Sequence, residues 1–357
     1  MNREFPIPHS RATLVAEMAE AVTKVLASGQ HAGGSICREF EADLARRLGH
    51  PHAIAVQSGS AALHMALLGL GVGAGDRVLL PSYVCPALLN AIAAVGASPL
   101  LADVDARFFN LTADSCRAAL AREGVREEAV ALAIVPHTFG YPAPLDRWDL
   151  DIPVLEDCAM ALGAELEGEE VGGWGRVSIF SFYATKMIST GQGGMLVTDD
   201  AQLAEEVRDF LKYDERDEWR PSWNYPMTDL AAAMGRAQLA HLEEFLRARR
   251  EIASHYRDVC HELGVDFQQV DPEASPNYFR FTILSDAKQR LERDLRAEGI
   301  EAKSPVFRPL HRYLRLDPAD FPATEAIQQR ALSLPIYPSL SSEQQQRIVQ
   351  ALRRYLG

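Results

Sequence analysis

The first feature that could carry chemistry is a lysine at the end of an apolar segment. Residues 178–186 read Ser-Ile-Phe-Ser-Phe-Tyr-Ala-Thr-Lys, and the glycine-rich stretch 190–194 follows. Buried lysines are rare, because removing an ammonium group from water is costly and lowers its pKa. An amine with a lowered pKa is suited to form a Schiff base with a carbonyl group, so Lys186 is a candidate catalytic nucleophile.

Two further segments supply an acid and an anion site. Glu156 and Asp157 directly follow the apolar run Val154-Leu155. The segment 57–63, Gln-Ser-Gly-Ser-Ala-Ala-Leu, forms a tight turn that opens a helix, where Ser60 is a possible cap and Gly59 permits close backbone approach. Considered alone, Glu156 and Asp157 could simply cap a helix, and the segment 57–63 could be an ordinary turn between a strand and a helix. Taken together with Lys186, they meet the needs of pyridoxal phosphate (PLP): a phosphate anchor, an acid for its pyridine nitrogen, and a lysine.

The elements that must position these residues alternate between strands and helices. Near-continuous apolar strands separated by helices indicate an α/β fold with a mostly parallel sheet covered on both faces. Ligands of such sheets bind beyond the carboxyl ends of the strands. The predicted strands are 53–56, 77–80, 99–102, 129–135, 153–155, 177–180 and 194–197, and a further strand is expected at 277–284.

The chain is long enough for two domains. A large cofactor-binding domain is expected over residues 1–245, and a smaller C-terminal α+β domain over 246–357. Predicted helices lie at 12–27, 37–48, 201–212, 228–263, 287–298 and 341–355. The sequence allows the N-terminal helices to pack with the small domain.

Composition restricts the class of protein. With 36 basic and 49 acidic residues the net charge is −13, which disfavours a nucleic-acid-binding surface. Five scattered cysteines without a C-x-x-C pair predict neither disulfides nor a zinc site, and no other metal is expected. The N-terminal residues lack the apolar region of a signal peptide, and no apolar stretch approaches a membrane span, so we expect a cytoplasmic protein without a membrane partner.

Several ordered motifs resemble the DegT/StrS-type PLP aminotransferases of fold type I, many of which aminate keto-sugars attached to nucleotides. The resemblance runs through nearly the whole chain. The segments that carry it are SGSAAL at 58–63, GAGDRV at 73–78, PSY at 81–83, LEDCA at 155–159, SFYATK at 181–186, NYPMTD at 224–229, PLH at 309–311 and LSLPIYP at 332–338.

This resemblance implies a role for each matching residue. Lys186 would carry the cofactor and Asp157 would pair with its pyridinium nitrogen. Gly59 and Ser60, the Ala61 backbone and Ser181 would form the phosphate site. Asn224 would reach the phosphate bound to a neighbouring subunit, which implies an obligate homodimer with shared active sites.

The sequence departs from the family pattern at two positions in the cofactor site. Cys85 stands where an aromatic ring usually stacks on the cofactor, and Met160 replaces a usual glutamine. Tyr183 is a candidate for the missing ring and for substrate contact. His137 and His311 are further candidates for substrate binding, and for both of them a structural histidine is an equally good interpretation.

The predicted reaction is transamination from an amino acid, glutamate or glutamine, to a carbonyl acceptor, for which the family favours a keto-sugar nucleotide. Two alternatives stay open. The same cofactor supports elimination, racemisation or carbon–carbon bond formation, and the altered pocket at Cys85 and Met160 keeps these possible. A non-catalytic regulatory protein that has kept the fold is the second, although the presence of Lys186 and Asp157 argues against it.

Overall fold

The computed structural model describes residues 6–214 and 216–357. The helices of this part are α1 (Ala16–Ser28), α2 (Ser35–Leu48), α3 (Gly59–Gly69), α4 (Ala87–Ala94), α5 (Ala113–Glu123), α6 (Ala201–Leu211), α7 (Asp229–Leu239), α8 (Leu242–Leu263), α9 (Lys288–Ala297), α10 (Leu310–Leu314), α11 (Pro322–Arg330) and α12 (Ser342–Leu356). The strands are β1 (His52–Val56), β2 (Arg77–Pro81), β3 (Ser98–Ala102), β4 (Leu132–Pro136), β5 (Val154–Asp157), β6 (Glu165–Leu166), β7 (Glu169–Glu170), β8 (Val177–Ser181), β9 (Gly194–Thr198), β10 (Ala274–Ser275), β11 (Phe281–Leu284) and β12 (Ala331–Leu334).

A seven-stranded sheet organises the chain in the order β1-β9-β8-β5-β4-β2-β3. Only β9 runs against its neighbours, pairing antiparallel with β1 and β8, while the remaining pairs are parallel. One face of the sheet packs on apolar residues of α3, α4 and α6, and the other on those of α2, α5, α7 and the start of α8. The predicted α/β fold with a mostly parallel sheet is confirmed.

The 22-residue helix α8 connects two apolar cores. Leu242, Phe245 and Leu246 belong to the core on the sheet. Ile252 and Tyr256, further along, belong to a second core formed with β11, β12, α9 and α12. The predicted boundary between residues 245 and 246 falls inside this helix and stays a prediction. The N-terminal helices α1 and α2 pack on α7, on the side of the large sheet.

Three element boundaries differ from the sequence prediction for local reasons. The strand expected from residue 129 begins at Leu132, because residues 127–129 form a 3-10 turn. The strand expected from residue 277 begins at Phe281, since the Asn277 side chain is used in a loop and Tyr278 has φ 50°. The helix expected over 228–263 is two helices, α7 and α8, separated at residues 240–241.

No helix within the described residues combines the length and the apolar character needed to cross a membrane.

Arg249 of α8 fixes the chain where it enters the second core. Its buried guanidinium donates to the carbonyl oxygens of Tyr278, Phe279 and Ile336 at 3.2, 3.3 and 3.0 Å. Burial lowers the pKa of Arg249 to about 9. One side chain therefore holds the backbone of residues 278–279 and that of residue 336 against the helix.

We expect Arg249→Met to lower the free energy of unfolding by about 2–4 kcal/mol, because three buried carbonyl groups lose their donor. The matched control is Arg247→Met, since Arg247 is exposed on the same helix. Urea denaturation of both variants checks this. Equal midpoints for the two variants would contradict the role given to Arg249.

Candidate active site

The predicted site residues meet at the carboxyl edge of the large sheet. Asp157 ends β5 and Ser181 ends β8. Gly194 begins the reversed strand β9 and pairs with both Val56 and Ser181, so the end of β1 lies at the same edge. Residues far apart in sequence are brought to one place by strand order alone.

The turn after β1 forms an anion cup at the start of α3. Ser58 is the N-cap, and its Oγ accepts a hydrogen bond from the Ala61 backbone N–H at 3.1 Å. Ser60, the predicted cap, is instead the exposed second residue of the helix. The N–H groups of Gly59 and Ser60 belong to the first turn, where a helix offers no acceptor of its own, so they are suited to an anion.

Glycines allow the two walls of this cup to touch. A Cβ on Gly59 would lie 2.7 Å from Cβ of Ser181, closer than side chains approach. A Cβ on Gly194 would overlap the backbone carbonyl of Ser58. The structure thus places Ser181 directly against the start of α3, and Gly59, Ser60, Ala61 and Ser181 form one surface. Their role in holding a phosphate group remains a prediction that this surface fits.

Lys186 lies in a loop that is hydrogen-bonded to itself and to α7. Its N–H donates to the Tyr183 carbonyl at 2.8 Å. Further along, Gln238 of α7 makes two hydrogen bonds to the backbone of Ser189, accepting from its N–H at 2.9 Å and donating to its carbonyl at 3.0 Å. The position of the lysine backbone is therefore set from two sides.

The Lys186 amine faces a largely apolar environment. Its Nζ lies 5.1 Å from the centroid of the Phe279 ring. Burial lowers the pKa of Lys186, and the positive charge of the nearby Arg280 lowers it further. The negative charge of Asp157, and a negative charge on Cys85, act in the opposite direction and raise this pKa. The lowered pKa agrees with the property that the sequence analysis required of a Schiff-base lysine.

Asp157 is only 7% exposed. Its Oδ1 accepts a hydrogen bond from the Ala159 N–H at 3.0 Å, the one hydrogen bond of its carboxylate among the described residues. Burial raises the pKa of Asp157, against the effects of the Ala159 N–H and Lys186. A cation placed beside this carboxylate would favour its ionised form, and the protonated pyridine nitrogen of PLP is such a cation. The donor set of the site therefore fits the predicted cofactor.

His137 is enclosed by protein in this structure, and its contact with a substrate stays a prediction. Its side chain has no exposed surface, its Nδ1 accepts from the Ala143 N–H at 2.9 Å, and its Nε2 donates to Glu156 at 3.0 Å. Glu156 also accepts from the N–H groups of Gly172, Trp174 and Gly175 at 2.9, 2.6 and 2.7 Å. The pair braces the loop beside Asp157. His137, Glu156 and Cys158 lie close enough together to be considered as metal ligands. However, both oxygens of Glu156 already accept the hydrogen bonds just described.

His311 is likewise structural in its contacts. It has no exposed surface, and its ring nitrogens contact Ser82 Oγ and Glu325 Oε1, each at 2.7 Å. Its ring also stacks on Phe321 at 4.6 Å. Direct contact of His311 with a substrate therefore also stays a prediction, since its side chain is enclosed in this structure.

The remaining predicted residues lie on or near the site surface. Tyr183 is 47% exposed, and Asn224 and Cys85 are exposed as well. Cys85 is close enough for the charge of its thiolate to act on Lys186. Met160 is partly buried between the two cores, and its carbonyl accepts from Asn277 Nδ2 at 3.0 Å. The roles of these four residues in binding stay predictions.

Sequence reasoning missed the contributions of three residues from outside the strand ends. Phe279 and Arg280 come from the chain just before β11, and Gln238 from α7. None of them stands at a glycine turn or next to a charged pair, and the sequence of 277–284 predicts only a strand. Only the packing of the C-terminal part against the sheet brings them to the site.

We expect Gly194→Ala to weaken PLP binding and to destabilise the fold by about 1–3 kcal/mol, because the added methyl group must displace the Ser58 backbone. Gly73→Ala is the control, since its Cβ would meet only the Val95 carbonyl at 3.8 Å. Chemical denaturation and a PLP dissociation constant from fluorescence titration check this. Wild-type values for Gly194→Ala in both assays would show that the close approach is not needed.

With the geometry established, comparison with known proteins identifies the family. The model of the DegT/DnrJ/EryC1/StrS aminotransferase family matches residues 12–353. The chain is 34% identical to the GDP-perosamine synthase of Caulobacter vibrioides, over 90% of this chain and 91% of that protein. It is 32% identical to the UDP-N-acetyl-3-dehydro-alpha-D-glucosamine 3-aminotransferase of Acidithiobacillus ferrooxidans, over 95% and 94% of the two chains.

Similarity in three dimensions agrees with these matches. A crystal structure of a DegT/DnrJ/EryC1/StrS aminotransferase from Brucella abortus superposes with a TM-score of 0.89 at 30% identity, covering 96% of this chain and 95% of that one. The sequence motifs, the family model and the fold therefore lead to one conclusion: the chain belongs to the DegT/DnrJ/EryC1/StrS aminotransferase family.

Proposed function

We propose that this protein is a PLP-dependent aminotransferase that transfers an amino group from glutamate or glutamine to a keto-sugar nucleotide. The observation that carries the proposal is the convergence of Lys186, Asp157 and the anion cup at one edge of the sheet. Each of the three matches one chemical part of the cofactor: its aldehyde, its pyridine nitrogen and its phosphate.

Each group of the chain then has a defined task. Gly59, Ser60, Ala61 and Ser181 hold the phosphate through the helix N-terminus and hydroxyl groups. Asp157 would pair with the pyridine nitrogen of PLP, and the positive charge of that nitrogen would favour the ionised carboxylate against the effect of burial. PLP bound in this way supplies a sink for the electrons released at the donor Cα. The Lys186 amine, whose pKa burial lowers, takes the proton from that carbon and returns it as general base and acid.

The acceptor class is supported by the printed names of the two relatives. One name states a GDP-linked product and the other a UDP-linked 3-dehydro sugar, so both proteins act on sugar nucleotides. The two differ in base and sugar, which is why we propose the class and not one compound.

One feature of the pocket supports a second candidate reaction, elimination or racemisation. Cys85 stands at the sequence position where relatives are expected to place an aromatic ring, and it is near enough to Lys186 for a charge on its sulfur to act on the amine. A thiol is a second acid or base that elimination or racemisation could use. Amino transfer converts the cofactor to its aminated form, which these reactions do not, so a single spectrum separates them.

We further propose a homodimer with shared active sites in the cytoplasm. Asn224 is exposed on the single chain, and apolar Leu26, 53% exposed, lines a cleft of about 800 Å³ next to Ser58. Val22, Leu230 and Met234 line the same cleft. Covering such a surface would bury it and bring a second chain to the anion cup. The five cysteines are all unpaired, as suits a reducing compartment.

The absorption spectrum tests the cofactor and the first half-reaction together. We expect the purified protein with PLP to show the visible band of the lysine-bound cofactor, and L-glutamate or L-glutamine to bleach it. Lys186→Ala should lose both the band and turnover, since no amine remains to bind the cofactor or move the proton. Lys212→Ala, at an exposed lysine, is the control. A band that neither donor bleaches would reject amino transfer from these donors, and no band at all would reject PLP.

Mixing two inactive variants tests the shared site. If Asn224 of each subunit completes the active site of its partner, the Lys186→Ala and Asn224→Asp subunits lack different parts of a shared active site. Random reassociation should then restore about a quarter of wild-type activity, because half of the dimers are mixed and each has one intact site. Light scattering reports the mass of the assembly. A dimer without regained activity would place Asn224 outside the partner's site.

A further inference from the structure

Arg280 is a partly buried cation without an anionic partner. Its Nε is buried and has no hydrogen-bond partner, and no Asp or Glu of residues 6–214 and 216–357 lies within ion-pair distance of its guanidinium. Burial lowers the pKa of Arg280 to about 10. Burying an unpaired cation is costly, so proteins keep one mainly where a ligand compensates it.

The neighbours of Arg280 position its guanidinium without neutralising it. The Nη1 atom of Arg280 lies 3.1 Å from Nδ1 and 2.9 Å from Nε2 of His9. Nearly equal distances to both ring nitrogens indicate that the guanidinium lies over the face of the imidazole ring. Burial, reinforced by the charges of Arg280 and Lys303, lowers the pKa of His9, so the ring is neutral. The nearby carboxylate of Glu301 is used by Lys303 at 2.9 Å and by the His9 N–H at 2.9 Å.

Arg280 and Lys186 share one aromatic wall. The Cζ of Arg280 and the Nζ of Lys186 each lie 5.1 Å from the centroid of the Phe279 ring. The positive charge of Arg280 also contributes to the lowered pKa of Lys186. Both cationic groups therefore lie around the same ring and near enough for their charges to interact, so a molecule that reacts at the Lys186 amine lies in the neighbourhood of this guanidinium.

Every amino acid donor carries a carboxylate one bond from the carbon that loses the amino group. Glutamate and glutamine share this α-carboxylate and differ only at the far end of the side chain. Arg presents a planar pair of N–H donors that matches a carboxylate. We propose that Arg280 binds the α-carboxylate of the amino donor and so sets its orientation at Lys186. This inference rests on the proposed function.

The test compares donors with and without that carboxylate on holoenzyme. The rate of bleaching of the visible band is followed against the concentration of L-glutamate and of its α-amide, L-isoglutamine. We expect Arg280→Met to raise the half-saturating concentration of glutamate about 10- to 100-fold, as the loss of a charge-assisted hydrogen-bond pair does, and to leave that of isoglutamine nearly unchanged. Arg280→Lys should lie between, because it keeps the charge and loses the planar pair.

A control variant and a binding measurement show whether the effect is specific to Arg280 and to binding. Arg293→Met, at an exposed arginine of α9, is the matched control and should behave as wild type. Calorimetric titration with glutarate, which cannot react, reports binding apart from turnover, and Arg280→Met should weaken it about tenfold or more. Thermal unfolding and the visible band show whether each variant is folded and loaded; if Arg280→Met is not, Arg280→Lys and Arg280→Gln replace it.

The outcomes separate this inference from the proposed function. Failure of wild type to bleach with either donor would overturn the proposed function itself. Bleaching by wild type with equal glutamate dependence in Arg280→Met would overturn the role of Arg280 alone. A changed half-saturating concentration for the sugar nucleotide with an unchanged one for glutamate would also overturn it, and would assign Arg280 to the acceptor's phosphates.

Discussion

The opposed charges of the buried Asp157 and the partly buried Lys186, at one edge of a sheet, are the interaction on which the site depends. Burial moves the two pKa values toward each other, down for the amine and up for the carboxyl, while mutual attraction limits both shifts. Each charge limits for the other the loss of hydration that burial costs an ion. A ligand with a phosphate, a basic ring nitrogen and an aldehyde completes this arrangement.

The rest of the structure keeps those two side chains in place. Glu156, next to Asp157, satisfies His137 and three backbone N–H groups, so the carboxyl end of β5 is fixed from the side away from the ligand. Gln238 does the same for the lysine loop. These contacts are made inside the protein, and they explain why His137 is buried.

The C-terminal part of the chain contributes the other wall of the site. Arg249 holds the backbone of residues 278–279, and Phe279 then faces Lys186. Phe279 supplies an aromatic surface in a pocket where Cys85 has replaced the ring expected from the family. The site is thus made at the meeting of two apolar cores, which share the partly buried Met160.

The sequence by itself determined the fold class, the approximate positions of the strands of the large sheet, and three candidates: Asp157 and Ser181 at strand ends and Lys186 in the loop after one. It could do so because a buried parallel strand is a short apolar run, and because glycines and charges at its end are local features. Tertiary structure alone decided that Ser58 and not Ser60 caps α3, that His137 and His311 are enclosed, and that Phe279 and Arg280 reach Lys186. Those outcomes depend on which distant segments pack together, and neither residue type nor local spacing records such contacts.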